Sequence, residues 1–305
     1  MSSLNQSHSS HGILLLDKPS GISSNQALCL AKRFLGIKKA GHTGSLDPLA
    51  SGMLPLCFGE ATKFARFLLE ADKCYRVVAK LGEQTKTGDS EGEVIQTRPV
   101  PVLTDTYIES MIADFRGEID QIPSMYSALK YKGQPLYKLA RAGQEVERPS
   151  RRINIFKLEL ESFEQSEEQS TLSLVVECSK GTYIRTLVED LGKAMGCGAH
   201  VIALRREWVG SFKDNPMIAL NAVEEAGLEA RQYILPIETA LATYPEIILP
   251  EAMAFYLRNG QAVRVGQRSE GWISLKNHLG EFMGVGEYLE DGRVAPRRLL
   301  QVATT

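Results

Sequence analysis

The sequence predicts an α/β protein with a small β module at its C-terminus. Three observations carry that expectation. Strand-like apolar runs alternate with helix-period stripes from residue 12 to residue 195. After Pro245 the texture changes to short apolar runs between turn signals. The 305-residue chain, 43% apolar and 24% charged, also has the composition of an ordinary globular protein.

The elements follow in order. Gly12 to Pro19 reads as a buried strand stopped by its proline. Ser23-Ser24 caps a helix reaching about Leu35, with Ala27, Leu28, Ala31, Phe34 and Leu35 on its apolar stripe. Lys38 to Gly59, rich in glycine, proline and small polar residues, reads as loop, although Met53 to Phe58 within it is apolar enough to be buried. Lys73–Leu81 is a strand, Thr104–Phe115 a capped helix, and Ile153–Phe163 and Thr171–Cys178 are neighbouring strands. Thr182–Met195 is a helix with Ile184, Leu187, Val188, Leu191 and Met195 on one face, ended by Gly196-Cys197-Gly198. Turn signals every 6–12 residues over 246–302 predict a small barrel or sandwich. The expected organisation is a polar tail over 1–11, a main domain over 12–245 and a β domain over 246–305.

Composition excludes several classes. No apolar run approaches the roughly 18 residues that span a bilayer, and the start lacks the basic and apolar regions of a secretory signal, so the protein is expected in the cytoplasm. Five dispersed cysteines, with no CxxC pair and none at metal spacing from a histidine, read as reduced core filler. The usual nucleotide-binding fingerprints are missing, and neither a metal nor a cofactor is expected. The net charge of −2 is unlike that of a small basic nucleic-acid module. It conceals a segregated surface, however, because residues 120–158 hold eight bases against three acids.

The densest loop is Gly41-His-Thr-Gly-Ser-Leu-Asp47-Pro-Leu-Ala-Ser-Gly52. By composition it is a surface turn, since Asp-Pro initiates turns and glycine permits positive φ. The apolar run after it instead ties the loop into the core, where a carboxylate can be reactive.

GHTGSLDPLASGMLPLCFGEATK resembles the signature loop of the TruB family of tRNA pseudouridine synthases. Further segments resemble that family in the same order: GILLLDKPSGISS, KCYRVVAKLGEQTKTGDSEGEV, PSMYSALKYKGQPLYKLARAGQEVER and CSKGTYIRTLVEDLG. The similarity spans residues 12–210, with a weaker match to a C-terminal PUA-like domain. The resemblance implies a mixed central sheet with flanking helices, and an isomerase that converts uridine-55 in the T stem-loop of tRNA to pseudouridine without a cofactor. It implies that Asp47 is the nucleophile, that Arg185 pairs with it, and that Tyr75 packs on the target base. His42 would fill the RNA stack vacated by the flipped base, where stacking is worth about 1–3 kcal/mol. Tyr183 and Leu204 would line the uracil pocket. Lys18, Lys63, Arg205 and Arg206 would contact phosphates, and the basic insertion over 124–152 would clamp the RNA, becoming ordered as it binds.

Each residue also has an ordinary reading: Arg185 extending to solvent, Tyr75 in the core, His42 on the surface. Other functions compete as well. One is an RNA-binding chaperone without turnover. Another is a carboxylate glycosidase needing a second acid, for which Asp89 and Glu91 are the nominees. A third is a guide-RNA-dependent relative that needs protein partners. No partner surface is evident, and a monomer is the default.

Overall fold

The computed structural model describes residues 10–166, 168–266 and 270–301, so residues 1–9 of the expected tail lie outside the described residues. Its centre is a nine-stranded mixed sheet. Strand Gly12–Lys18 pairs antiparallel with Ser51–Phe58, from Gly12↔Phe58 to Lys18↔Gly52. Ser51–Phe58 meets Ala199–Val209 in parallel, and that strand leads across Lys73–Leu81, Ser170–Cys178 and Arg151–Gln165 to the edge strand Gly117–Gln121.

Strand alternation divides the apolar residues between two cores. Leu14 and Leu16 face a core shared with Ala27, Leu28, Ala31 and Leu35, while Ile13 and Leu15 face the opposite side with Met53, Phe64 and Phe67. Helix Ser24–Leu35 closes the first core. The Ser23 side chain accepts from the Gln26 N–H, Gln26 returns the bond to the Ser23 N–H, and Gly36 ends the helix at φ 61°. Helix Ile184–Ala194 covers the same face with Ile184, Leu187, Val188 and Leu191. It approaches so closely that a Cβ at Gly192 would lie 2.3 Å from the Ala199 nitrogen.

One element differs from the sequence expectation. The segment read as loop over 38–59 contains the short strand Ala40–His42 and the eight-residue strand Ser51–Phe58, which is buried from Gly52 onward. Gly52 and Pro55 argued against a strand. Pro55 has no N–H to donate, and it falls where the neighbouring strand Ala40–His42 ends; its carbonyl still accepts from the Thr43 N–H at 3.1 Å. Gly52 sits at φ 96° with its Cα pressed against the Arg206 backbone. The turn Thr43–Ala50 remains irregular, as do Lys38 and Lys39.

The C-terminal region is a five-stranded sheet in the order Glu246–Ile248, Trp272–Lys276, Phe282–Tyr288, Arg293–Leu299, Val263–Arg264. Helix Glu251–Arg258, which turn spacing does not announce, packs Ala254 and Leu257 into its core. Aromatic rings sew this sheet to the main body: Phe67 meets Trp272 edge-on at 5.2 Å, and Phe64 lies 5.6 Å from Phe282. No helix among the described residues is long and apolar enough to cross a membrane.

Candidate active site

Asp47 stands on the irregular turn between the two strands, and that turn is held from behind. The Ser24 hydroxyl, buried at the start of its helix, accepts from the Leu46 N–H at 2.7 Å and donates to the Leu46 carbonyl at 3.0 Å. The Gly21 N–H donates to the Pro48 carbonyl at 2.8 Å, and the Ala50 N–H closes the turn onto the Asp47 carbonyl at 3.1 Å. The backbone on either side of Asp47 is therefore satisfied by protein, leaving its side chain free to point outward.

It points into a cleft of about 750 Å³, which Tyr75, Tyr183, Arg185 and Leu204 also line. The carboxylate Oδ2 lies 2.9 Å from Arg185 Nε. Arg185 is 7% exposed at its side chain against 41% for Asp47, so the cation is the floor and the carboxylate is the accessible partner. Burial pushes the Asp47 pKa above the usual carboxylate value, and the Arg185 guanidinium pulls it back. The remaining Arg185 nitrogens are engaged elsewhere: Nη1 donates to the Thr87 carbonyl at 2.7 Å and Nη2 to the Tyr126 carbonyl at 2.8 Å. Asp89 stands behind, its Oδ2 3.6 Å from Nη1. Thus the guanidinium, in the first turn of its helix where the dipole disfavours a cation, is compensated by two carboxylates and two carbonyls.

Sequence reasoning did not assign Asp89 this role. Asp89 does line the cleft, but its side chain is 5% exposed and it accepts from Thr87 Oγ1 at 2.5 Å and from the Glu91 N–H at 3.2 Å, so it serves Arg185 and its own loop rather than standing free as a second acid. Glu91, the other nominee, lines the cleft as well, and burial raises its pKa, with Asp89 and Asp47 adding to the shift.

The other expected residues divide. Tyr75, 8% exposed, pairs across the sheet with Arg206 on one side and Val176 on the other. Tyr183 caps the Arg185 helix and is clasped by Gln121, which accepts from its N–H at 2.8 Å and donates to its carbonyl at 3.1 Å. Leu204 stands opposite Val77. His42 lies outside the lining, half-buried opposite Leu56. Burial and then Arg206 lower its pKa, and its Nδ1 finds no hydrogen-bond partner among the described residues.

The phosphate contacts need correction. Lys18 is fully buried, and its ammonium donates to the carbonyls of Pro19 and Ile22 at 2.7 Å and of Pro48 at 3.4 Å. It braces the Asp47 turn, and burial lowers its pKa to about 8. Lys63 pairs with Glu60 and reaches the Leu299 carbonyl at 3.4 Å, at the seam with the C-terminal sheet rather than at the cleft. Arg205 is clamped by Asp17 in a bidentate pair at 3.0 and 2.9 Å, and Arg206 is 1% exposed. Charge in the sequence cannot show that a cation's donors are already spent on the protein's own carbonyls.

The insertion supplies the far wall. Residues 130–135 form a hairpin and Leu136–Arg141 a short helix that buries Leu136 and Leu139 and turns Tyr137 and Arg141 to the cleft. The guanidinium of Arg141 lies 5.7 Å from the Tyr137 ring centroid. Among the described residues no group of three or more His, Cys, Asp or Glu is arranged to hold a metal.

Residues 32–184 match the model of the TruB family pseudouridylate synthase N-terminal domain. Residues 185–242 match that of the tRNA pseudouridylate synthase B C-terminal domain, and 245–300 that of the pseudouridine synthase II TruB C-terminal domain. The chain is 52% identical over 298 residues to a tRNA pseudouridine synthase B of Coxiella burnetii, covering 95% of this chain and 94% of that one. It is 54% identical over 295 residues to the protein of that name from Nitrosococcus oceani, with the same coverage. Among solved structures, an archaeal box H/ACA Nop10–Cbf5 complex matches at a TM-score of 0.71 and 22% identity, covering 97% of this chain and 88% of that chain. At that identity the likeness concerns the fold.

Proposed function

The chain belongs to the TruB family of tRNA pseudouridylate synthases, and from that premise we propose that it isomerises uridine-55 in the T loop of tRNA with Asp47 as nucleophile. The reaction breaks the N1–C1′ bond, turns the base and joins C5 to C1′, releasing the C5 hydrogen as a proton. Nothing is oxidised or reduced.

The observation that carries this reading is the pair Arg185 Nε–Asp47 Oδ2 at 2.9 Å, its carboxylate facing a cleft and its cation beneath. The guanidinium favours the ionised carboxylate against desolvation, so an ionised nucleophile can persist in a partly desolvated cleft. Asp47 attacks an electron-poor carbon of the extruded nucleoside, C6 of the ring or C1′ of the sugar. Tyr75, Tyr183 and Leu204 give the base an apolar slot. His42 takes its place in the stack, which suits a flat ring kept neutral by a lowered pKa. Tyr137 and Arg141, with the rest of 124–152, grip the RNA from the far wall. Residues 12–245 form the catalytic domain, and 246–305 a PUA-like domain that adds RNA affinity. The enzyme acts as a monomer in the cytoplasm.

The test is release of tritium from tRNA transcript labelled at uridine C5, with no metal or cofactor added. Release from wild-type transcript, and its loss when position 55 is cytidine, is expected. Undiminished release from the cytidine-55 transcript would contradict the assigned position.

A further inference from the structure

Arg206 is the largest side chain among those fully buried, at 1% exposure. No carboxylate among the described residues lies within ion-pairing distance of it. A buried charge without a counter-ion is costly, so its position needs a physical reason. Three observations supply one.

Its guanidinium spans the two ends of the segment that carries Asp47. Nε donates to the Met53 carbonyl at 2.7 Å and Nη2 to the Gly44 carbonyl at 3.1 Å. The residues between them, 45–52, include Asp47 and most of the irregular turn. The register then places Arg206 opposite Gly52 on one neighbouring strand and opposite Tyr75 on the other. Residues directly opposite in an antiparallel pair share a face, so the cation stands beside the Tyr75 ring. Finally, the Gly52 Cα lies so close to the Arg206 backbone that a Cβ would come within 2.3 Å of its carbonyl oxygen. The strand end that launches the turn is therefore seated on this residue.

We propose that Arg206 is a positioning residue for catalysis, fixing both ends of the Asp47 turn and the Tyr75 side chain in one rigid unit. This rests on the reading of Asp47 as nucleophile. Arg185 sets the carboxylate from the front and Arg206 sets its backbone from behind. Arginine is required rather than lysine, because the Met53 and Gly44 carbonyls are met by two separate nitrogens, Nε and Nη2, of one rigid planar fork, and lysine has no donor at the Nε position. Arg206 reaches the wall of the cleft, but at 1% exposure it presents almost no surface to a phosphate.

The test uses the full chain carrying Arg206→Lys and, separately, Arg206→Met. Melting is followed by circular dichroism. Single-turnover tritium release at saturating tRNA is measured below every melting transition, and tRNA affinity is titrated over a range of salt. A 1 Å misplacement of a reacting group costs on the order of 100-fold, so the release rate is expected to fall about 100-fold in both folded variants. The dissociation constant should stay within about twofold and the salt slope should not change. Three outcomes would overturn the proposal. One is an unchanged rate in a folded variant. Another is a loss confined to affinity with the salt slope reduced by about one, the mark of a phosphate contact. The last is failure of both variants to fold, which would make the arginine a stability element. Asp47→Asn is run alongside: if it retains full release, the nucleophile reading fails on its own account, whatever Arg206 does.

Discussion

Arg185 Nε lies 2.9 Å from Asp47 Oδ2, while Nη1 and Nη2 of the same guanidinium are held by the carbonyls of Thr87 and Tyr126. One edge of the fork is thus aimed at the carboxylate and the rest is anchored. Arg185→Lys keeps the charge but cannot meet three acceptors in a plane. Tritium release should fall about 100-fold. Orphaning the buried carbonyls of Thr87 and Tyr126 should also cost about 1–3 kcal/mol, read by urea unfolding.

Asp47 should behave in the opposite way toward stability. Its pKa is raised in the folded state, so its contribution to stability is full below the unfolded pKa and is lost as the pH rises through the folded one. At neutral pH its ionisation is therefore a burden. Asp47→Asn should melt at or above the wild-type temperature in calorimetry, whereas a clear drop would mean that the pair stabilises the fold.

The same shift fixes the acid limb of the rate. With Asp47 as the proposed nucleophile, attack needs the ionised carboxylate, so single-turnover release should decline as the pH falls through a midpoint above the usual aspartate value. A rate that holds constant down to the ordinary aspartate range would place the carboxylate in open water.

Ser24 offers a prediction away from the chemistry. Ser24→Ala removes both hydrogen bonds to Leu46 and leaves a buried N–H and C=O unpaired. A cost of about 1–3 kcal/mol is expected in chemical unfolding. Tritium release should fall about tenfold, since the turn before Asp47 is no longer fixed.

At the seam, Trp272→Ala removes the edge-on contact with Phe67. Stability should fall by about 2 kcal/mol, with the single-turnover rate at saturating tRNA unchanged. A lost rate would show that the C-terminal sheet supports the chemistry itself.

Much of the fold was legible. The runs at Gly12–Lys18, Lys73–Leu81 and Ser170–Cys178 are strands because their apolar residues face packed cores, and periodicity reports that directly. Ser51–Phe58 was hidden because Gly52 and Pro55 are strand-breakers locally; Gly52 is needed for the close approach of the Arg206 backbone, and Pro55 falls where the strand Ala40–His42 ends, which only the fold reveals. At the site, the resemblance of the Asp47 and Arg185 segments nominated two residues that the fold then brings into contact. The role of Asp89 left no trace in spacing, because it acts through Arg185. Lys18 and Arg206 looked like phosphate ligands because burial cannot be read from charge.

The most direct test is single-turnover tritium release at saturating tRNA by Asp47→Asn against wild type, at a pH where the wild-type carboxylate is ionised. The amide keeps the size of the side chain and can still accept from Arg185, but it is no nucleophile. Complete loss of release with tRNA binding retained is the expected result; release at the wild-type rate would contradict the account.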